Sequence, residues 1–204
     1  MTILAAARLI GIVRYRNEGD LPAVLDALAD VGVPLLEVTL DTPGALEAIA
    51  TVAGEGGTIG AGTVLDVDQV SMCADAGARF IVSPGLLEEV VVEGLRRGME
   101  PIPGVMTPTE LLRARRLGAS AVKVFPAGPA GGPALIHALR SPFPDIGLVP
   151  TGGIGIDEVR AYLDAGATAV GLGNALVGDH PPRSQQELRG LRSRAAAAVA
   201  AATE

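Results

Sequence analysis

The chain has 204 residues, 49% of them hydrophobic, and a formal net charge of −7. That charge excludes the basic excess of a nucleic-acid surface, and a lone cysteine, Cys73, excludes both an intrachain disulfide and a cysteine-built metal cluster. With two Tyr, three Phe and no Trp, the core must be aliphatic, which suits a parallel sheet wrapped by helices.

The apolar N-terminal run is interrupted by Arg8 and preceded by no basic segment, so it does not read as a secretory leader. No later run is long and apolar enough to span a bilayer. The sequence therefore reads as a soluble cytoplasmic protein with no membrane or nucleic-acid partner.

Short apolar runs predict strands at 10–15, 35–40, 58–62, 80–83, 100–104, 121–125, 147–151 and 169–172. Helical spacing between them predicts helices near 20–30, 44–53, 66–76, 86–97, 108–117, 132–139, 156–165 and 184–202. Gly77, Gly118 and Gly166 each follow an alanine-rich or charged stretch, where a left-handed residue ends a helix before the next strand. Thr107-Pro108-Thr109-Glu110 supplies a cap, a first-turn proline and an acidic partner, and Asp66 marks another helix start. This succession of βα units predicts an α/β fold, a single compact (β/α)8 TIM barrel occupying 1–204 as one domain. A doubly wound open sheet is the alternative, and it would disperse the strand ends.

Lys123 is the only lysine, in the run Ala121-Val122-Lys123-Val124-Phe125, while every other basic position is arginine. A charge alone could be met by arginine, so this position calls for an amine. An amine desolvated among valines loses proton affinity and can attack a carbonyl, which points to Schiff-base chemistry. Two other readings stay open: a lysine snorkelling from a strand end, and a buried lysine neutralised by a carboxylate.

Strand ends of a barrel face one cavity, so their polar residues come next. Alternation puts Glu37 and Thr39 on one face of 35–40, making Glu37 a general acid/base candidate or, blandly, a rim carboxylate. Arg14, near the end of the first strand, could clamp a carboxylate or be surface charge. Thr63 follows the tight turn Gly60-Ala61-Gly62 as a small donor. The loops Thr151-Gly152-Gly153-Ile154-Gly155 and Gly171-Leu172-Gly173-Asn174 follow the last two strands, where barrels bind phosphate through backbone N–H groups. His137 and His180 lack ligand-spaced partners, so no metal or other cofactor is expected.

The segments Leu36-Glu37-Val38-Thr39-Leu40, Gly60-Ala61-Gly62-Thr63-Val64-Leu65, Phe80-Ile81-Val82-Ser83-Pro84-Gly85, Pro103-Gly104-Val105-Met106-Thr107-Pro108-Thr109-Glu110, Val122-Lys123-Val124-Phe125-Pro126-Ala127 and Pro150-Thr151-Gly152-Gly153-Ile154 together resemble the 2-keto-3-deoxy-6-phosphogluconate (KDPG) aldolase family, in order and over nearly the whole chain. The resemblance implies a class I aldolase on a (β/α)8 barrel, usually a homotrimer. Its substrate would be a 2-keto-3-deoxy sugar acid phosphate cleaved to pyruvate, or 4-hydroxy-2-oxoglutarate in some members. It implies that Lys123 is the Schiff-base lysine, Glu37 the general acid/base, Thr63 and Phe125 pocket residues, and Gly152, Gly153, Gly173 and Asn174 the phosphate site.

Two departures stand out. Asp41 occupies a position where many members have arginine, and Arg14 matches the carboxylate-binding arginine of another branch. Asn174 stands where serine is common. Thr151 before the glycine pair matches the gluconate-type pattern, whereas enzymes for the galactonate epimer more often carry valine. Besides that epimer, the rival readings are a barrel isomerase using Glu37 without a covalent step and a non-catalytic barrel that binds phosphorylated acids.

Overall fold

A computed structural model describes residues 3–5 and 7–203. The elements in chain order are β1 (Leu9–Val13), α1 (Leu21–Asp30), β2 (Leu35–Thr39), α2 (Ala45–Gly54), β3 (Ile59–Gly62), α3 (Val67–Asp75), β4 (Phe80–Val82), α4 (Glu88–Arg96), β5 (Glu100–Ile102), β6 (Gly104–Val105), α5 (Pro108–Arg116), β7 (Ala121–Val124), α6 (Gly132–Arg140), β8 (Gly147–Pro150), α7 (Val159–Asp164), β9 (Val170–Leu172), α8 (Asn174–Val177) and α9 (Gln185–Thr203). The strand-then-helix alternation expected from the sequence is present. Helix starts follow the predicted chemistry: the Asp66 carboxylate accepts from Gln69 N at 2.8 Å, and Thr107 and Glu110 form a reciprocal capping box. Gly77, Gly118 and Gly166 have φ of 86°, 99° and 101°, the left-handed geometry that ends α3, α5 and α7.

The sheet differs from the expected uninterrupted eight-stranded ring. Its strands form a six-stranded parallel sheet in the order β5-β4-β3-β2-β1-β9 and a three-stranded parallel sheet, β6-β7-β8. The expected strand at 100–104 is divided at Pro103, which has no N–H to give a ladder, although its carbonyl still accepts from Lys123 N at 2.9 Å. Between β8 and β9 the links include the bridge of Thr151 to Gly171, Thr168 N donating to Leu148 O at 2.8 Å and Leu148 N donating to Thr168 Oγ1 at 3.3 Å. The last loop also holds a short helix, α8, which the sequence reading takes as loop.

Alternation sorts the strand side chains into two sets. Val13, Val38, Ala61, Val122, Val124 and Leu148 join the large cluster that includes the helices' buried residues. Ile10, Ile12, Leu35, Phe80, Val82, Ile102, Ala121, Val149 and Ala169 form a second buried cluster with Leu4 and Ala7. Burying each of the larger aliphatics is worth about 1.5–3 kcal/mol. Glycine makes room within this set: a Cβ on Gly60 would lie 2.4 Å from the Phe80 ring. Following the same faces toward the C-terminal strand ends leads from Ile12 to Arg14, from Leu35 to Glu37 and Thr39, from Ala121 to Lys123, and from Val149 to Thr151. Among the described residues, no helix is long and apolar enough to cross a membrane.

Candidate active site

Those side chains line a cavity of about 480 Å³, together with Ile12, Pro84, Phe125, Gly152, Gly153, Ile154, Gly171, Gly173, Asn174 and Ala175. The size suits a small organic ligand. Lys123 and Glu37 lie deepest in charge terms, only 8% and 1% exposed. Burial holds the Lys123 amine below its ordinary range, a shift the Glu37 charge opposes and that of Arg14 reinforces. Burial likewise raises the Glu37 carboxyl, with Lys123 and Arg14 pulling the other way. In both groups desolvation is the largest cause, so the pair leans toward neutral amine and neutral acid.

Glu37 is held in register by its strand, opposite Ile12 on β1 and Gly60 on β3. Its Oε1 is buried without a hydrogen-bond partner among the described residues. Such an atom is costly in a finished core and suits a group waiting for a substrate proton. Gly62 makes the space for it: a Cβ there would sit 1.9 Å from Oε1. Lys123 Nζ lies 4.9 Å from the centroid of the Phe125 ring, a contact that favours the charged amine.

Arg14 is fixed by a web that links β1, β2 and the turn after β3. Its Nε is 3.5 Å from Thr39 Oγ1 and 3.5 Å from Asp41 Oδ1, and its Nη2 donates to Thr63 Oγ1. Thr39 in turn shares a 3.1 Å hydrogen bond with Thr42, whose hydroxyl accepts from Tyr15 N. Thr63 has φ of 58°, the only positive φ on a non-glycine among the described residues. A β-branched residue is strained there, so the turn holds the hydroxyl where Arg14 meets it. Thr63 itself is not among the lining residues. Thr63 thus bears on the cavity through its contact with Arg14.

At the far end, Gly152 and Gly153 have φ of 88° and 71°, and added Cβ atoms would strike the Phe125 ring at 2.8 Å and Pro129 at 2.9 Å. Thr151 is buried beside them, and a Cβ on Gly171 would lie 2.4 Å from its hydroxyl oxygen. Asn174 Nδ2 donates to Asp179 Oδ1 at 2.6 Å. The structure therefore brings Arg14, Glu37, Lys123, Phe125, Thr151, Gly152, Gly153, Gly173 and Asn174 to one cavity. Sequence reasoning passes over Ile12 and Pro84 as wall residues. The bridge between Thr151 and Gly171 joins the two glycine loops, a pairing that a linear reading does not contain.

A nucleophilic amine, a buried acid, a guanidinium and glycine loops in one cavity form a set that can open a keto acid through an imine. The sequence profile of the family described as "Aldolase: KDPG and KHG aldolase" matches residues 1–186. A 2-dehydro-3-deoxy-phosphogluconate aldolase of Pseudomonas aeruginosa is 38% identical over 164 residues, 79% of this chain and 74% of that protein. A 2-dehydro-3-deoxy-6-phosphogalactonate aldolase of Escherichia coli strain K12 is 35% identical over 200 residues, 96% of this chain and 95% of that one. Among solved structures, a KDPG aldolase of Legionella pneumophila with pyruvate captured as a covalent carbinolamine superposes with a TM-score of 0.78 at 30% identity, covering 98% of this chain and 94% of that one.

Proposed function

This chain belongs to the KDPG and KHG aldolase family and is a carbon–carbon lyase of the class I type, and we propose that it cleaves 2-keto-3-deoxy-6-phosphogluconate to pyruvate and glyceraldehyde 3-phosphate, acting also on 4-hydroxy-2-oxoglutarate. The observation that carries the residue assignment is the buried Lys123–Glu37 pair, biased by desolvation toward neutral amine and neutral acid.

In this reading Nζ of neutral Lys123 attacks the C2 ketone to form a carbinolamine. Protonated Glu37 gives its proton to the departing hydroxyl, so water leaves and an iminium remains. Glu37, now a carboxylate, takes the C4 hydroxyl proton as the C3–C4 bond breaks and its electron pair moves into the enamine. The aldehyde departs, C3 is protonated, and water hydrolyses the imine to free pyruvate and the amine. Arg14, steadied by Thr39, Thr63 and Asp41, holds the carboxylate. The loops at Gly152, Gly153 and Gly173 hold the distant phosphate, whose binding energy aligns the reacting bond.

Incubation with pyruvate and borohydride, followed by intact mass and peptide mapping, tests this directly. One reduced pyruvate is expected, on Lys123, the chain's only lysine, and absent from Lys123→Arg. No adduct in folded wild-type protein would remove the covalent mechanism. Side-by-side assay of the gluconate and galactonate epimers completes the test: Thr151, which lines the cavity and matches the gluconate-type pattern, supports the gluconate epimer, and faster cleavage of the galactonate would reverse that choice.

The finer architecture follows the same reading. We take the Pro103, Thr151 and Thr168 links between the two sheets as the seams of one (β/α)8 ring, a single domain acting in the cytoplasm without metal or cofactor. A homotrimer is supported by the apolar side chains of Leu65, Val67 and Met72, which are 47%, 41% and 51% exposed around α3 in the isolated chain. Light scattering should return a mass near three chains, falling toward one in Met72→Glu; a wild-type monomer would sink the trimer.

A further inference from the structure

The glycine-loop end of the cavity is served by an acidic side chain that the reaction scheme does not use. Among the lining residues the charged ones are Arg14, Glu37 and Lys123, and Arg14 and Lys123 are committed to the carboxylate and the ketone. No lining cation is left for a phosphate. At that end the lining side chain with N–H donors is Asn174, and one of its two amide N–H groups is given to Asp179 Oδ1 at 2.6 Å. Gly178, with φ of 80°, ends α8 and turns the chain so that Asp179 reaches back to Asn174. α8 has only four residues, too short to add appreciable positive potential of its own.

We propose that Asp179, acting through Asn174, weakens this end of the site for a dianionic phosphate and so sets substrate preference, narrowing the gap between phosphorylated 2-keto-3-deoxy sugar acids and unphosphorylated 4-hydroxy-2-oxo acids. The inference rests on the aldolase reading above. Two physical effects act together. The hydrogen bond occupies one of the two Asn174 amide donors and fixes the direction of the other. The carboxylate also repels a group carrying close to two negative charges. Asp179 and Asn174 are both exposed, so the repulsion is screened by salt.

The test compares 2-keto-3-deoxy-6-phosphogluconate with 4-hydroxy-2-oxoglutarate in wild type and Asp179→Asn, at low and high ionic strength. Asp179→Asn keeps an oxygen to accept from Asn174 while removing the charge. The expected result is a rise of roughly tenfold in the ratio of kcat/KM for the phosphorylated over the unphosphorylated substrate at low salt, carried by KM of the phosphorylated one. Added salt should raise the wild-type ratio toward that of the variant. An unchanged or lower ratio in Asp179→Asn overturns the proposal and makes Asp179 a mere tether for Asn174. Wild-type turnover of both substrates with a pyruvate adduct on Lys123 keeps the aldolase reading intact, so a flat ratio then counts against Asp179 alone. Absence of turnover and adduct overturns both.

Discussion

Lys123→Met will abolish aldol cleavage and raise the melting temperature in the same protein. The loss of activity should be at least about four orders of magnitude, because no other side chain can form the imine and the remaining groups only bind. The stability gain follows from the direction of the Lys123 shift. Its folded pKa lies below the ordinary lysine value through burial, so between the folded value and about 10.5 the unfolded chain binds more protons and stability rises with pH. The cost of burying the amine is therefore fully present below the folded pKa and gone above the unfolded one. Methionine fills similar space without that cost, and because burial holds Glu37 toward its neutral acid, no unpaired charge is left behind. Thermal scans from neutral to alkaline pH should show the wild type closing on the variant as pH approaches that of free lysine. Residual cleavage within a hundredfold of wild type, or a variant less stable at neutral pH, would contradict the assignment.

Gly62→Ala is expected to damage the site by displacing the Glu37 carboxyl. The new methyl would stand 1.9 Å from Glu37 Oε1 and 2.8 Å from its Cδ. Glu37 is 1% exposed, so its carboxyl can retreat only into the cavity. Overpacking of this kind costs about 1–3 kcal/mol, and misplacement of a reacting group by about 1 Å costs on the order of a hundredfold in rate. The double variant Gly62→Ala with Glu37→Asp separates the two effects. The shorter acid should recover stability while leaving turnover low, a coupling that chemical denaturation and kinetics on the four proteins would measure. A Gly62→Ala enzyme with normal turnover would show that Glu37's position is not what matters.

The alternation of strands and helices is legible in the chain because apolar runs and glycine helix ends recur at every unit, as at Gly77, Gly118 and Gly166. Lys123 is legible because arginine serves at every other basic position. The division of the fifth expected strand escapes the reading, since Pro103 reads as apolar while its missing N–H matters only against a neighbouring strand. The Arg14 web escapes it for another reason: Thr39 and Thr63 lie 25 and 49 residues away in sequence. Likewise, the need for glycine at 62 appears only when β3 is laid beside β2, with Thr39 opposite Gly62.

The apolar plug below Lys123 also determines traffic. Leu4 and Ala7 join Ile10, Leu35, Phe80 and Ala121 in a filled interior, so among the described residues the chamber is backed by apolar side chains on that side. In the covalent reading proposed above, the three-carbon acid remains bonded to Lys123 while the aldehyde fragment is free to leave. That reading orders departure, aldehyde first and pyruvate last. In the synthetic direction the same architecture makes pyruvate the first reactant to enter, with the aldehyde arriving onto an enamine already in place.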